Sequence, residues 1–272
     1  MASKTTVEQL YGELWAVDED PLRLELGKSL DPRGKDWLFT AFADLGPQAG
    51  ELVVDVGARD AQHSIRLVRD HGLRAIALDP VRHHVELATR AVSEAGLDGE
   101  IDVVEAGIEA MPIDDGVADW IWCRDVLVHV DLAQGFAECA RILRPGGQML
   151  AYISCSTESL EPREARALFE PLAIVPESTQ PDALQRHSAA AGLTLVSSTP
   201  LAGEWRERMI EEGSWDPADD LVRLSRLERR KAELAERYGE ARVAAYVADR
   251  TWGVYQLLGK LRPIAYVWRR DA

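Results

Sequence analysis

The chain is 272 residues long, enough for one large domain or two modest ones, and 46% of it is hydrophobic, which excludes intrinsic disorder. Its 46 acidic residues outnumber 31 basic ones, and a formal charge of −15 argues against nucleic acid and against anionic membrane surfaces as partners. Cys123, Cys139 and Cys155 have no C-x-x-C spacing and form an odd set, so a reduced, cytoplasmic compartment is expected rather than a disulfide framework. The opening MASKTTVEQLYGELW has no apolar core of signal-peptide length, and no stretch reaches the roughly 18 apolar residues of a membrane span.

Thr5 to Val17 predicts a short helix carrying Leu10, Leu14 and Trp15. Asp31-Pro32 opens a second, with Asp31 as cap, Pro32 at the first position, and Trp37, Leu38 and Phe42 on one face. Tyr11, Trp15 and Trp37 either line a pocket or pack on a sheet; aromatic residues at helical spacing suit both. Glu51 to Ser64, ELVVDVGARDAQHS, organises the remainder of the chain. Leu52 to Asp55 reads as a buried parallel strand closing in a carboxylate, Gly57 permits a sharp turn, and Asp60 is positioned to cap a helix beginning near Ala61. A strand, a tight turn and a helix N-terminus together cradle a polar ligand.

A second strand, Leu73 to Leu78, ends in Asp79-Pro80, and an acidic residue at that tip is the usual partner of a ribose diol. Val81 to Ala95 is helical, Ile101 to Glu105 a third strand, and Trp120 to Cys123 a fourth. The helix Leu132 to Leu143 is stopped by the turn signal Arg144-Pro145-Gly146-Gly147, and Gln148 to Ile153 is a fifth strand. Repeated units of this kind predict an α/β fold, a mostly parallel sheet with helices on both faces and right-handed crossovers. Ligands of such sheets lie beyond the carboxyl ends of the strands, where Asp55, Asp79, Glu105 and Asp125 fall. The dinucleotide pattern G-x-G-x-x-G fails, because Arg59 and Gln62 stand at its second and third glycine positions, and a side chain at the second would block close approach of a pyrophosphate.

Ser156 to Ala191 holds two short helices between prolines, Leu193 to Pro200 resumes strand character, and Trp205 to Gly213 is helical. Pro217 to Tyr238 reads as one charged helix with an apolar stripe of Leu221, Leu224, Leu227 and Leu234. It is either a solvated cover over the core or a lid or dimer contact. Gly239 precedes the helix Glu240 to Leu258, and Ile264 to Arg269 is the last strand. The organisation expected is a helical cap over residues 1–46, a ligand-binding core over 47–154, and helical inserts with closing strands of the same domain over 155–272.

The runs VVDVGARDA, IALDPV, VVEAGIEAMPIDDGVADWIWCRDVLVHV and ECARILRPGGQMLAY, in this order, resemble the class I S-adenosylmethionine-dependent methyltransferases of small-molecule type. The resemblance covers roughly Glu51 to Ile153, and GKLRPIAYVWRR resembles the family's closing strand. It implies a Rossmann-like methyltransferase fold with a seven-stranded sheet, S-adenosyl-L-methionine as cofactor with S-adenosyl-L-homocysteine as product, and a small-molecule acceptor methylated on oxygen, nitrogen or carbon. A homodimer is left open. The cofactor would be held by Asp55, Gly57, Arg59, Asp60 and His63 in the first turn, by Asp79 and Pro80, by Gly107, Ile108 and Glu109 around adenine, and by Cys123 and Arg124 near the methionine amino group. Arg59 and Ala61 depart from the family's D-x-G-x-G-x-G; Arg59 either pairs with the cofactor carboxylate or turns to solvent or to Asp60. Gly107 stands where the family often has Asp, and Glu109 is the candidate to supply that contact.

Asp125 and His129 are the candidate catalytic residues, His129 as a general base or as a structural histidine at the sheet edge. His83 and His84 are expected on a helix surface, and no His/Cys/Asp cluster has the spacing of a metal site. The acceptor pocket is expected between the N-terminal helices, Asp125 to Val130 and the inserts, including Trp205, Trp252 and Tyr255. The alternatives are the same fold serving as a cyclase or isomerase, or a regulatory subunit without cofactor affinity.

Overall fold

Leu52–Val56 forms β1 because its apolar run is buried on both sides of a sheet, with Val53 and Val54 each fully enclosed. A computed structural model describes residues 5–14 and 21–271, and contacts divide the chain into two units, Met1–Pro32 and Arg33–Ala272. In the first unit a short helical segment, Val7–Gln9 continuing through Leu10–Leu14, is opened by a reciprocal cap. Gln9 N–H donates to Thr6 Oγ1 at 3.2 Å and Thr6 N–H donates to Gln9 Oε1 at 3.0 Å. Pro21–Leu26 is a separate helix. Trp15 and Val17 lie outside the described residues.

In the second unit, α1 spans Trp37–Asp44, which corrects the expected start at Asp31-Pro32. Asp31 has a left-handed φ of 54°, and Asp36, not Asp31, precedes the first helical residue. Arg33 is held instead by Glu204, to which its backbone N–H donates at 3.1 Å and its Nε at 2.7 Å. The sheet continues with β2 Arg74–Asp79, β3 Ile101–Glu105, β4 Ala118–Arg124, β5 Leu143–Ser156, β6 Leu193–Pro200 and β7 Leu261–Arg270. Among the described residues these form one seven-stranded sheet in the order β3-β2-β1-β4-β5-β7-β6, with β7 antiparallel to both of its neighbours. The chain reverses strand order on either side of β1, so the crevice for a ligand opens above β1 and β4.

Alternation along the strands sorts two cores. Val54, Val56, Ile121 and Cys123 face α4 (Leu132–Ile142), whereas Val53, Trp120 and Trp122 face α1 and α2 (Gln62–His71) with α3 (Arg82–Ala95). Phe42 of α1 meets Trp120 edge-on at 5.3 Å, a pair geometry worth about 1 kcal/mol beyond its buried area. The turn signal Arg144–Gly147 does not precede β5. It lies within it, between the pairs Ala118↔Leu143 and Trp120↔Gln148, as an irregularity of register.

The inserts are α5 Pro162–Phe169, α6 Pro181–Ala190, α7 Glu204–Glu211, α8 Pro217–Glu228, α9 Lys231–Tyr238 and α10 Glu240–Leu257. The single helix expected over 217–238 is therefore two, broken at Arg229–Arg230, where Arg230 takes φ −125° and ψ 16°. The break folds Leu227 and Leu234 onto the same groove beside Val243 of α10.

Candidate active site

Gly57 (φ 72°) ends β1, and a Cβ added there would lie 2.3 Å from Val126 Cγ2, so the loop after β1 seats directly on the loop after β4. Arg59 (φ 52°) and Ala61 (φ 56°) both take the left-handed conformation that glycine adopts without strain. Their hydrogen bonds hold them there: Arg59 N–H donates to Asp79 Oδ2 at 2.9 Å, and Ala61 N–H donates to Ala58 O at 2.8 Å. Helix α2 then begins at Gln62 with Ala61 in the capping position and no side-chain cap, which corrects Asp60 as the cap.

The loop walls a cleft of about 330 Å³ lined by Asp55, Val56, Gly57, Ala58, Arg59, Asp60, His63, Arg124 and Asp125. Asp55 is 1% exposed and accepts the Ser64 hydroxyl at 2.6 Å. Burial pushes its carboxyl up to about 7, against the Ser64 hydrogen bond that favours the anion. His63 lies over Phe39 and Trp122, and Trp122 Nε1 lies 3.3 Å from its Nδ1. Arg124 Nη1 lies 3.2 Å from its Nε2; Trp122 and Arg124 are both donors, and a neutral imidazole has one acceptor nitrogen, so the ring accepts from one of the two and not from both. Burial, followed by the Arg124 charge, lowers its pKa to about 4.

Asp79 is the clamp of this wall. Besides Arg59 N–H, it accepts Val81 N–H at 2.9 Å and contacts His84 Nδ1 at 3.1 Å, both through Oδ1. His84 is thus half-buried against a carboxylate, a correction of its expected surface placement. Pro80, Gly107, Ile108, Glu109 and Cys123 do not line the cleft. Gly107 sits beside Pro80, its Cβ position 3.9 Å from Pro80 Cβ, so a side chain fits there. Ile108 is buried against Gly135, Glu109 Oε1 accepts Asp131 N–H at 3.0 Å, and the Cys123 thiol is buried, which pushes it up to about 12.

A second cleft of about 250 Å³ opens next to the first, lined by Asp125, Val128, His129, Leu172, Ile174, Arg206, Asp249 and Trp252. Asp125 belongs to both clefts. It has a left-handed φ of 56°, and its Oδ1 is buried without a hydrogen-bond partner among the described residues. Its side chain retains 40% exposure at the cleft floor, yet the protein around it desolvates the carboxylate and pushes it up to about 6, against the charges of Arg124, Arg206 and His129. Only Leu127–His129 is helical between the two candidates, so a turn rather than a shared helix face brings His129 to the same cleft. His129 Nδ1 lies 3.1 Å from Ala173 O; donation to that carbonyl leaves the Nε2 lone pair free.

The aromatic residues divide. Trp252 lines the second cleft, while Trp205 is 7% exposed and stacked on Tyr152 at 4.1 Å with Arg124 over its ring. Tyr255 pairs with the Lys260 ammonium at 5.4 Å, and Trp37 with the Arg33 guanidinium at 5.0 Å; neither lines either cleft. Sequence reasoning misses Arg206 and Asp249, since nothing in their spacing from Asp125 announces a shared cleft. Among the described residues no group of side chains suits a metal ion, and no helix is long and apolar enough to cross a membrane.

The strand order, the antiparallel β7 and an acid-lined cleft above β1 and β4 define the Rossmann-like methyltransferase class. Residues 54–151, about a third of the chain, match the methyltransferase-domain family. The chain is similar to the dimethylglycine N-methyltransferase of Parasynechococcus marenigrum (strain WH8102), 28% identical over 202 residues that cover 69% of this chain and 68% of the relative. It is also similar to the sarcosine/dimethylglycine N-methyltransferase of Halorhodospira halochloris, 29% identical over 144 residues, 53% of this chain; the match spans only 49% of that relative's length. In fold it resembles the geranyl diphosphate C-methyltransferase of Streptomyces coelicolor A3(2), with a TM-score of 0.62, 16% identity, and coverage of 86% of this chain and 78% of that one.

Proposed function

We propose that this chain transfers the methyl group of S-adenosylmethionine to an oxygen, nitrogen or carbon nucleophile of a small acceptor. The observation that carries this reading is Asp125, which lines both clefts and so marks where a donor in one and an acceptor in the other would meet. The first cleft suits the cofactor. Its turn leaves no room for a side chain at Gly57, and its carboxylates at Asp55, Asp60 and Asp125 favour a cation. Asp55, the Gly57–Asp60 loop, His63 and Arg124, with Asp79 behind the loop, would hold it. When bound, the cofactor supplies an activated methyl group on a sulfonium.

The remaining work falls to the chain's own side chains: alignment of the acceptor, exclusion of water and management of one proton. His129, with Nδ1 fixed by Ala173 O, would take that proton at Nε2 when the acceptor must lose one, and Asp125 would orient the nucleophile. On this reading residues 47–154 hold the cofactor, and the 155–272 inserts contribute Leu172, Ile174, Arg206, Asp249 and Trp252 to the acceptor side. An amine acceptor is favoured by the relatives named for dimethylglycine and sarcosine.

Calorimetric titration with S-adenosylmethionine and S-adenosylhomocysteine tests the proposal. The expected result is saturable binding to the wild type, weakened in Asp79→Ala. Absence of binding to protein stripped of bound ligand would overturn it.

A further inference from the structure

Arg206 is a half-buried cation without a paired anion. Its guanidinium faces the second cleft, burial lowers its pKa, and no carboxylate lies within ion-pairing distance of it among the described residues. Asp249 of α10, which lines the same cleft, pairs with Arg250 instead, and Asp125 leaves its Oδ1 unpartnered. Desolvating a charge without pairing it is costly, so a half-buried guanidinium facing a cleft is suited to an anionic partner.

The arginine is also held in place. Nε donates to Gln256 Oε1 at 2.7 Å, and Gln256, itself 3% exposed, donates through Nε2 to the fully buried Ser154 Oγ at 3.1 Å. The guanidinium lies flat on α10 at Gly253, where an added Cβ would stand 3.1 Å from Arg206 Cζ, and Trp215 covers it at 5.2 Å. Nη1 reaches only the weak acceptor Met209 Sδ, at 3.8 Å. The Nη2 donors have no partner among the described residues. A planar fork, locked on its Nε side and open on its other edge, is the arrangement that binds a carboxylate through two parallel hydrogen bonds.

We propose that Arg206 is the acceptor-anchoring residue and that the acceptor is a small carboxylic acid, bound in the second cleft with its carboxylate on Arg206 and its nucleophile toward Asp125 and His129. This rests on the methyltransferase reading above. The cleft's volume of about 250 Å³ limits the acid to a small one, and Leu172, Ile174 and Trp252 offer an apolar wall for its substituents. The preference is for an acid over its ester, because an ester leaves the guanidinium partly desolvated and unpaired.

The test uses the full chain saturated with S-adenosylhomocysteine and a panel of glycine, sarcosine, N,N-dimethylglycine, 3-hydroxybutyrate and salicylate, each beside its methyl ester. Binding is read by saturation-transfer NMR and by tryptophan fluorescence. At least one acid is expected to bind the wild type and its ester not to. Arg206→Gln should weaken that acid by roughly 10- to 100-fold, the loss of a charge-assisted contact, with S-adenosylhomocysteine affinity held within about twofold. Arg206→Lys should keep part of the affinity. Gly253→Ala, which crowds the guanidinium while leaving its charge, should weaken the acid in a helix made no less stable. Equal binding of acid and ester, equal binding to wild type and Arg206→Gln, or no acid bound by a protein that does bind S-adenosylhomocysteine would each overturn the inference. Wild-type protein that binds no S-adenosylhomocysteine would instead overturn the methyltransferase reading on which it rests. Should Arg206→Gln fail to fold, the acid–ester comparison on wild type and Arg206→Lys decides alone.

Discussion

The backbone N–H of Arg59 donates to Asp79 Oδ2 at 2.9 Å, which ties the strained turn after β1 to the tip of β2. With Val81 N–H and His84 Nδ1 on Oδ1, this carboxylate already uses three of its roughly four acceptor positions on protein groups. Asp79 therefore has a structural task before any ligand arrives. Asp79→Ala should destabilise the ligand-free protein by about 1 kcal/mol, the loss of part-buried hydrogen bonds to Arg59 and Val81 N–H, in addition to weakening cofactor binding. Urea unfolding of ligand-free wild type and variant measures it. Unchanged stability would mean that the clamp contributes nothing and that Asp79 serves ligand alone.

Gly57 carries two separable constraints. Its φ of 72° costs an L-residue about 1–2 kcal/mol, and a Cβ at 2.3 Å from Val126 Cγ2 adds an overpacking cost of about 1–3 kcal/mol. Gly57→Ala should incur both, and the pair Gly57→Ala/Val126→Ala should recover the steric part only. A double-mutant cycle in thermal or urea unfolding separates them. Additivity of the two substitutions would show that the loops do not touch as described.

The parallel core was legible because its strands are short buried apolar runs ending in carboxylates, and β1 to β3 lie within a residue of where LVVD, LRAIAL and IDVVE put them. Three features escaped for physical reasons. Arg59 and Ala61 adopt left-handed backbone conformations that residue type argues against, and only the long-range bond from Arg59 to Asp79 explains the first. The break at Arg229–Arg230 has no glycine or proline to mark it; it results from packing both Leu227 and Leu234 beside α10. Arg206 was hidden in a helix of alternating charges, because Gln256 and Gly253, which it contacts, and Asp125, with which it shares a cleft, come from other elements. Of the candidate site residues, those of the first turn and of Arg124–Asp125 share a cleft, whereas Gly107 to Glu109 and Cys123 stand outside it.

Stability should carry the signature of Asp55. Its carboxyl ordinarily titrates near 3.8 and is raised to about 7 in the fold by burial. Below 3.8 both states are protonated and its contribution is fully present. Between the two values the unfolded chain ionises while the folded one keeps its proton, so stability falls as pH rises and the loss is complete above about 7. His63 works in the opposite sense. Held neutral down to about 4 against an ordinary value of 6.5, it makes stability fall as pH drops through that window. The two oppose one another in the wild type, so the Asp55 effect is read as a difference. Unfolding free energies of wild type minus Asp55→Asn, measured from pH 4 to 8, should decline with rising pH and level off near 7. A flat difference would mean that Asp55 ionises normally.

The same raised carboxyls predict a proton balance for cofactor binding. Asp55 at about 7 and Asp125 at about 6 are partly protonated near pH 6.5, and both line the first cleft. A cation placed beside them favours their ionised forms, lowers both values and expels protons. S-adenosylmethionine carries a sulfonium charge that S-adenosylhomocysteine lacks, so its binding should release more protons. Calorimetry at pH 6.5 in two buffers of different ionisation enthalpy reads this directly, as a buffer-dependent heat that is larger for S-adenosylmethionine. The difference should shrink at pH 8.5, where both carboxyls are already ionised, and in Asp125→Asn at pH 6.5. Identical buffer dependence for the two ligands at pH 6.5 would separate the sulfonium from both carboxylates, and would place the donor methyl away from Asp125.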